Sequence, residues 1–119
     1  MEIGQIAISV SKLERAIAFY VQQLDLTLLF KTPPGLAFFK CGEIRLMLDS
    51  SSKKHAGKGA VIYFKMENIE AWYANKSTSG VVFERVPHLI AKMPDHELWM
   101  CFLKDPDGNL IGIMEERYD

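Results

Sequence analysis

The chain has 119 residues, of which 49% are apolar and 24% are charged, and its formal net charge is −1. This balance is typical of a soluble globular protein and excludes a disordered chain. A nearly neutral chain without a basic stripe is not expected to bind nucleic acid. No run approaches the roughly 18 apolar residues of a membrane-spanning helix, so no membrane partner is expected either.

The N-terminal sequence and the two cysteines indicate the compartment. MEIGQIAISV has no cationic segment followed by a long apolar stretch, so no signal peptide is expected. Cys41 and Cys101 do not form a Cys-x-x-Cys pattern, and two free thiols are the favoured interpretation, with a disulfide as the minor alternative. Free thiols predict a cytoplasmic protein.

The first half of the chain reads as one strand, one helix and three strands. Residues 5–10 alternate, with Ile6, Ile8 and Val10 on the face that would meet a core. The run from Ser11 to Glu14 has the spacing of a capping box, and apolar residues at helical intervals predict a helix that ends near residue 24. The three strands predicted next are Leu26–Lys31, Leu36–Cys41 and Ile44–Asp49.

The second half repeats this order after a polar stretch at residues 50–59, which reads as a linker. Gly80 closes the predicted helix as a left-handed cap. The segment from Arg85 to Glu97 is longer than its counterpart in the first half. The predicted elements are a strand at Ala60–Met66, a helix from about Asn68 to Ser79, and strands at Val81–Val86, Trp99–Lys104 and Leu110–Glu115.

The two halves also align residue by residue. At an offset of 56 positions Ile6 aligns with Ile62 and Leu13 with Ile69, and the stretch 36–48 resembles 100–114 at an offset of 66. Each half is about as short as a self-supporting core can be, so both are expected to share one domain. The prediction is an α+β fold of two βαβββ modules, about 1–49 and 60–119, with helices on one face of the sheet.

Three stretches, KLERAIAFY, MENIEAWY and FLKDPDGNLIGIMEE, resemble the vicinal oxygen chelate superfamily of glyoxalases, bleomycin resistance proteins and extradiol dioxygenases. The resemblance spans nearly the whole chain and implies a curved mixed sheet around a cleft, and a homodimer. Metal-dependent members take four His, Glu or Gln ligands from the first and last strand of each module. On this sequence, the corresponding positions are Gln5, Leu46, Val61 and Gly112.

Three of these four residues have no side-chain donor for a divalent cation, which needs several N or O ligands. Neither a metal nor another cofactor is therefore expected. The strand face away from the helices is predicted to be a mostly apolar trough with a few polar groups, which suits a small organic ligand. Trp99 is equally well explained as packing. The predicted ligand-binding residues are Gln5, Leu46, Tyr63, Lys65, Trp99 and Met114.

His96 is the candidate for acid–base chemistry, because imidazole titrates near neutral pH and Asp95 or Glu97 would orient it. The more common alternative is that it caps a strand end or bonds a loop carbonyl. With His88 these residues also have the chemistry of a relocated metal site, although adjacent strand residues point to opposite faces.

These features are compatible with three hypotheses about function. The leading hypothesis is metal-free binding or sequestration of an apolar or anionic small molecule. The alternatives are a lyase or isomerase that uses His96, and a structural or regulatory module with a vestigial cleft.

Overall fold

The computed structural model describes residues 1–51 and 53–119, so Ser52 of the predicted linker lies outside the described residues. The contacts divide these residues into two compact units. One unit contains residues 1–59 and 106–109, and the other contains residues 60–105 and 110–119.

The first unit is a four-stranded mixed sheet with one helix. The sheet has the order β1-β4-β3-β2, in which β1 runs parallel to β4 and the other neighbours are antiparallel. A short 3-10 helix, Lys53–His55, lies in the predicted linker. The elements are β1 Gln5–Ser9, α1 Leu13–Gln22, β2 Thr27–Thr32, β3 Leu36–Cys41 and β4 Ile44–Asp49.

The second unit repeats this topology with the order β5-β8-β7-β6, and β5 runs parallel to β8. Each module is therefore a βαβββ unit, and the predicted α+β fold class is confirmed. Neither helix, nor any other within the described residues, is long and apolar enough to cross a membrane. The elements are β5 Ile62–Lys65, α2 Ile69–Lys76, β6 Val82–Lys92, β7 His96–Lys104 and β8 Leu110–Tyr118.

The longer segment from Arg85 to Glu97 is mostly strand. It lengthens β6 to 11 residues and β7 to 9, and three register shifts interrupt their pairing. The predicted strands Val81–Val86 and Trp99–Lys104 were therefore too short. The sequence did not indicate these longer strands, because the stretch contains Pro87 and several charged residues. Irregular pairing also breaks the two-residue alternation of apolar and polar side chains.

In each unit the helix covers one face of the sheet. Helix α1 buries Ala16, Ile17 and Tyr20, and the Tyr20 ring lies 6.3 Å from the ring of Phe39 on β3. Helix α2 packs on β6, β7 and β8 with Ile69 fully buried. We call the opposite side of each sheet, which faces away from the helix of that unit, its open face.

The predicted capping box at Ser11 is wrong. Lys12 is the N-cap of α1 and makes no side-chain cap, while Glu14 pairs with Lys31 at 3.1 Å. The backbone N–H and the hydroxyl of Ser11 both donate to Oδ1 of Asp107, the former at 3.0 Å. A distant loop carboxylate therefore takes the hydroxyl that would have capped the helix.

Both cysteines carry free thiols, as predicted. Cys101 is fully buried in the second unit, and this burial raises the pKa of its thiol to about 12. Burial also raises the pKa of the Cys41 thiol. Neither thiol is therefore expected to be a reactive nucleophile at neutral pH.

Candidate functional site

The side chains of β4 face opposite to the prediction. Parallel pairing places Leu46 beside Ile6 and Leu48 beside Ile8, and Leu46 is only 2% exposed. The predicted position of Leu46 on the open face is therefore wrong, because the leucines pack in the core on the side of α1. Arg45, the neighbour of Leu46 on β4, lies on the open face.

A polar row crosses the open face of the first sheet. Gln5 on β1, Arg45 on β4 and Lys40 on β3 occupy successive register positions. The Arg45 Nε donates to Oε1 of Gln5 at 3.1 Å, and its guanidinium carbon lies 5.1 Å from the centre of the Phe38 ring. Two of the three residues are cations, so this row attracts negative charge.

An apolar row lies next to the polar one on the same face. Met47 and Phe38 are register partners, and Phe38 stacks on Phe30 with 4.7 Å between ring centres. The Gln5 amide also donates weakly to the sulfur of Met47 over 3.7 Å. The open face of the first sheet thus offers a cationic edge beside an aromatic surface.

The four positions that the resemblance assigns to metal ligands do not fit a divalent cation. Leu46 is buried in the core, Val61 precedes β5, and Gly112 has no side chain. Only Gln5 retains an oxygen that could bind a metal. That oxygen accepts a hydrogen bond from the guanidinium of Arg45, whose positive charge would repel a cation. Within residues 1–51 and 53–119, no three His, Cys, Asp or Glu side chains are grouped as a metal site.

On the open face of the second sheet, an aromatic ring occupies the space beside Gly112. Tyr63 is its register partner, and a Cβ at Gly112 would clash with the Tyr63 ring. The Tyr63 ring is 46% exposed and meets the ring of Phe102 edge-on at 5.8 Å. Predicted residues Tyr63 and Met114 therefore share one apolar face, with Met114 paired to Met100.

A shallow cavity of about 290 Å³ lies at one end of this face. Phe102 and Leu110 supply its apolar part, and charged side chains surround it. The cavity is lined by Glu84, Arg85, Phe102, Lys104 and Leu110.

Trp99 lies on the face of β7 opposite to the open face, which matches the packing alternative, and its role in ligand binding stays a prediction. It is the register partner of Glu115, which accepts hydrogen bonds from the start of α2. The Trp99 ring packs 4.2 Å from the guanidinium carbon of Arg117, and its Nε1 donates to Glu97 at 3.0 Å. Packing on the helix side explains this residue.

His96 and Lys65 meet through a residue that sequence reasoning missed, Glu116. His96 Nδ1 lies 2.8 Å from Oδ1 of Asp95, and its Nε2 lies 3.6 Å from Oε2 of Glu116. Lys65 Nζ lies 3.5 Å from Oε1 of the same carboxylate. The Tyr118 ring is 4.8 Å from the imidazole. Glu116 lies two residues beyond Met114, so a β8 predicted past residue 115 would have placed it on this face.

The four residues considered for a relocated metal site do not come together. His88 Nδ1 contacts the carbonyl of Val86 at 2.7 Å, and Glu97 accepts from Trp99 on the other face of the sheet. Only Asp95 and His96 are in contact. This arrangement matches the alternation of adjacent strand residues between faces.

The chain resembles known proteins over nearly all of its length. The family model for the glyoxalase/bleomycin resistance protein/dioxygenase superfamily matches residues 2–113. Among proteins of curated function, none matches the sequence significantly.

Solved structures show the same fold at low sequence identity. A lactoylglutathione lyase from Agrobacterium tumefaciens superposes with a TM-score of 0.77 at 21% identity, over 96% of this chain and 92% of that one. A superfamily member from Sphaerobacter thermophilus gives 0.76 at 23% identity, over 98% of both chains. One from Alicyclobacillus acidocaldarius gives 0.74 at 18% identity, over 97% of this chain and 91% of that one. The chain therefore belongs to the glyoxalase/bleomycin resistance protein/dioxygenase superfamily.

Proposed function

We propose that this protein binds or sequesters a small organic ligand, apolar in body and anionic at one end, without a metal ion. The observation that carries the proposal is the guanidinium of Arg45. Its Nε donates to Gln5, at the position that the family resemblance assigns to a metal ligand, and its central carbon lies 5.1 Å from the centre of the Phe38 ring. A cation fixed in this way replaces the charge that a metal would supply.

The fixed geometry suits an oxyanion. The hydrogen bond to Gln5 is made through Nε of Arg45, so the two terminal nitrogens are the donors that the guanidinium would offer to a ligand. Such a pair of nitrogens donates two parallel hydrogen bonds to a carboxylate, sulfonate or phosphate. Lys40, the register partner of Arg45, adds a second positive charge.

The apolar body of the ligand would lie on the adjoining rings. Phe38 is only 8% exposed and stacks on Phe30, which is 47% exposed, so the Phe30 ring and the partly buried Met47 side chain would supply most of the contact surface. On the second sheet, Tyr63, Phe102 and Met114 form a comparable apolar face. Burial of an apolar ligand against such rings supplies affinity, while the guanidinium sets orientation.

An anionic fluorescent probe tests the proposal. We expect 1-anilinonaphthalene-8-sulfonate to bind with an increase in fluorescence, and Arg45→Met to weaken its binding roughly tenfold, the effect of one charge-assisted hydrogen-bonded contact. Prior treatment with EDTA, or addition of Zn²⁺, Mn²⁺ or Ni²⁺, should leave the titration curve unchanged.

Lys31→Met is the matched control. Lys31 lies in the first unit but is paired with Glu14 of α1, on the side away from the open face. Its replacement removes the same charge and should leave probe affinity within about twofold, since distant exposed charges are screened by salt. Equal losses in the two variants, or binding that requires a metal, would contradict the proposal.

A second candidate, a lyase or isomerase, is favoured by the contact between Asp95 and His96. The carboxylate 2.8 Å from Nδ1 orients the imidazole so that Nε2 faces Glu116. If turnover of a carbonyl compound is found, His96→Ala should abolish it with little change in substrate affinity, as measured by steady-state kinetics and by calorimetry. Turnover that survives the substitution would eliminate this candidate.

A cytoplasmic homodimer is part of the same proposal. The free thiols support a reducing compartment. The edge strand β6 supports self-association, because its exposed apolar side chains would be covered in a dimer. These side chains are Val82, Val86, Leu89 and Ile90.

A further inference from the structure

A second cavity lies in the second unit, at the end of the open face where β5 leaves the sheet. Its volume is about 360 Å³, and its lining residues come from the end of β5, the two residues that follow it and the last part of β8. It contains none of the residues of the proposed anion site. The lining residues are Lys65, Met66, Glu67, Glu116 and Tyr118.

The charge of this cavity is locally acidic although the whole chain is nearly neutral. Glu67 and Glu116 contribute two carboxylates against the single ammonium of Lys65. Behind Glu116, the carboxylate of Asp95 lies against His96. A cationic group would therefore lower the electrostatic energy of the cavity, and an anion would raise it.

Two side chains of this protein already place nitrogen atoms against Glu116, and neither makes a close contact. Lys65 Nζ is 3.5 Å from one carboxylate oxygen and His96 Nε2 is 3.6 Å from the other. Charge-assisted hydrogen bonds between nitrogen and oxygen measure about 2.7–2.9 Å. The long side chain of Lys65 is mostly exposed, so its ammonium can move away from Glu116 at a small cost in free energy.

An aromatic ring completes the arrangement. The Tyr118 ring borders the cavity and lies beside the imidazole of His96, with 4.8 Å between ring centres. The face of a tyrosine ring attracts an organic cation, and the side chain of Met66 adds a polarizable apolar surface. An acidic cavity with an aromatic wall has the chemistry that recognises amines.

We propose that this cavity binds the ammonium group of an aromatic or aliphatic amine, which displaces Lys65 from Glu116. The carboxylates of Glu116 and Glu67 accept hydrogen bonds from the ammonium group, and Tyr118 contacts the apolar part of the ligand. This site is independent of the anion site at Arg45, and either one stands if the other fails.

Phenethylamine is a suitable probe, since its ammonium and ring match both parts of the cavity. We expect it to shift the NMR signals of Glu116 and Tyr118, and 2-phenylethanol, which has no charge, to bind at least tenfold more weakly. Glu116→Gln should weaken amine binding roughly tenfold. Glu67 is exposed, so Glu67→Gln should leave the stability of the fold unchanged. It should weaken amine binding severalfold.

Lys65→Met gives the sharpest test because the proposal fixes the sign of its effect. Loss of an internal competing ammonium should tighten phenethylamine binding about threefold or more. A cavity that used Lys65 to hold a carboxylate would instead show weaker binding of benzoate and no gain for the amine.

Glu84→Gln is the matched control, because Glu84 lies in the same unit and is paired with Lys104 instead. It should leave amine affinity within about twofold. The proposal is overturned if the amine and the alcohol bind equally, if Glu84→Gln has the same effect as Glu116→Gln, or if Lys65→Met weakens amine binding.

Discussion

Leu46→Ala is expected to lower the free energy of unfolding by about 3 kcal/mol, within the range found for buried leucines. Leu46 is 2% exposed and packs beside Ile6 and Phe39 in the core of the first unit. The substitution removes apolar contacts and leaves a cavity that the surrounding strands can fill only in part. Urea unfolding followed by circular dichroism would measure the loss.

Met47→Ala is the matched comparison, because Met47 is the next residue on β4 and points to the open face. It should cost about 1 kcal/mol or less, since the side chain is only partly buried. It should, however, lower the affinity for the anionic fluorescent probe, because it removes apolar surface beside Arg45. A larger stability loss for Met47 than for Leu46 would show that the side chains of β4 face the other way.

Most of the fold was predictable because its signals are local. Strands β3 and β4 have the predicted bounds, Leu36–Cys41 and Ile44–Asp49, since apolar alternation and turn residues mark their ends. The internal repeat then supplied the second module without any knowledge of long-range contacts. Both helices fall within their predicted ranges and are two to four residues shorter, as is usual at helix ends.

The faces of the strands were harder to predict, and Leu46 shows why. Leu46 was predicted to bind a ligand on the open face, although it belongs to the apolar series of a strand whose other residues include Arg45 and Asp49. A sheet with one covered face places its apolar series in the core and its charges on the open side. The composition of β4 by itself therefore favoured the arrangement that the structure has.

The candidate site depends on pairings that no local pattern specifies. Glu116 joins Lys65 to His96 only because β8 pairs with both β5 and β7 and continues to Tyr118. Likewise, Arg45 reaches Gln5 through the parallel pairing of β1 and β4, 40 residues apart. Sequence alternation predicted that Gln5, Lys65 and His96 are polar groups on strands, but not which charges they meet.

The second large effect is expected at Glu115, which connects β8 to the start of α2 in the second unit. Its carboxylate accepts hydrogen bonds from the backbone N–H groups of Asn68 and Ile69 at 2.7 and 3.2 Å, where α2 begins. It also accepts from Nε of Arg117 at 3.0 Å. Glu115→Gln should therefore cost about 2 kcal/mol at pH 7, because one neutral amide oxygen cannot replace both charged acceptors.

The cost should depend on pH in a defined direction. Burial disfavours the charged carboxylate of Glu115, but hydrogen bonds from Asn68, Arg117 and Ile69 outweigh it, so the pKa falls below its ordinary value of 4.5. A carboxyl with a lowered folded pKa contributes its full stability above the unfolded pKa and loses it as pH falls through the folded pKa. The difference between the wild type and Glu115→Gln should therefore be constant from pH 7 to about 5.5, and should shrink below 4.5.

Glu116→Gln provides the comparison for this effect, because it changes the adjacent carboxylate on the opposite face of β8. Its ion pairs with Lys65 and His96 are long and partly exposed, so it should cost less than about 0.5 kcal/mol at pH 7. Urea unfolding of the three proteins between pH 7 and pH 3 would separate the two roles. If the gap for Glu115→Gln stayed constant through acid pH, the carboxylate would act through packing, and the hydrogen bonds to the start of α2 would not be its main contribution.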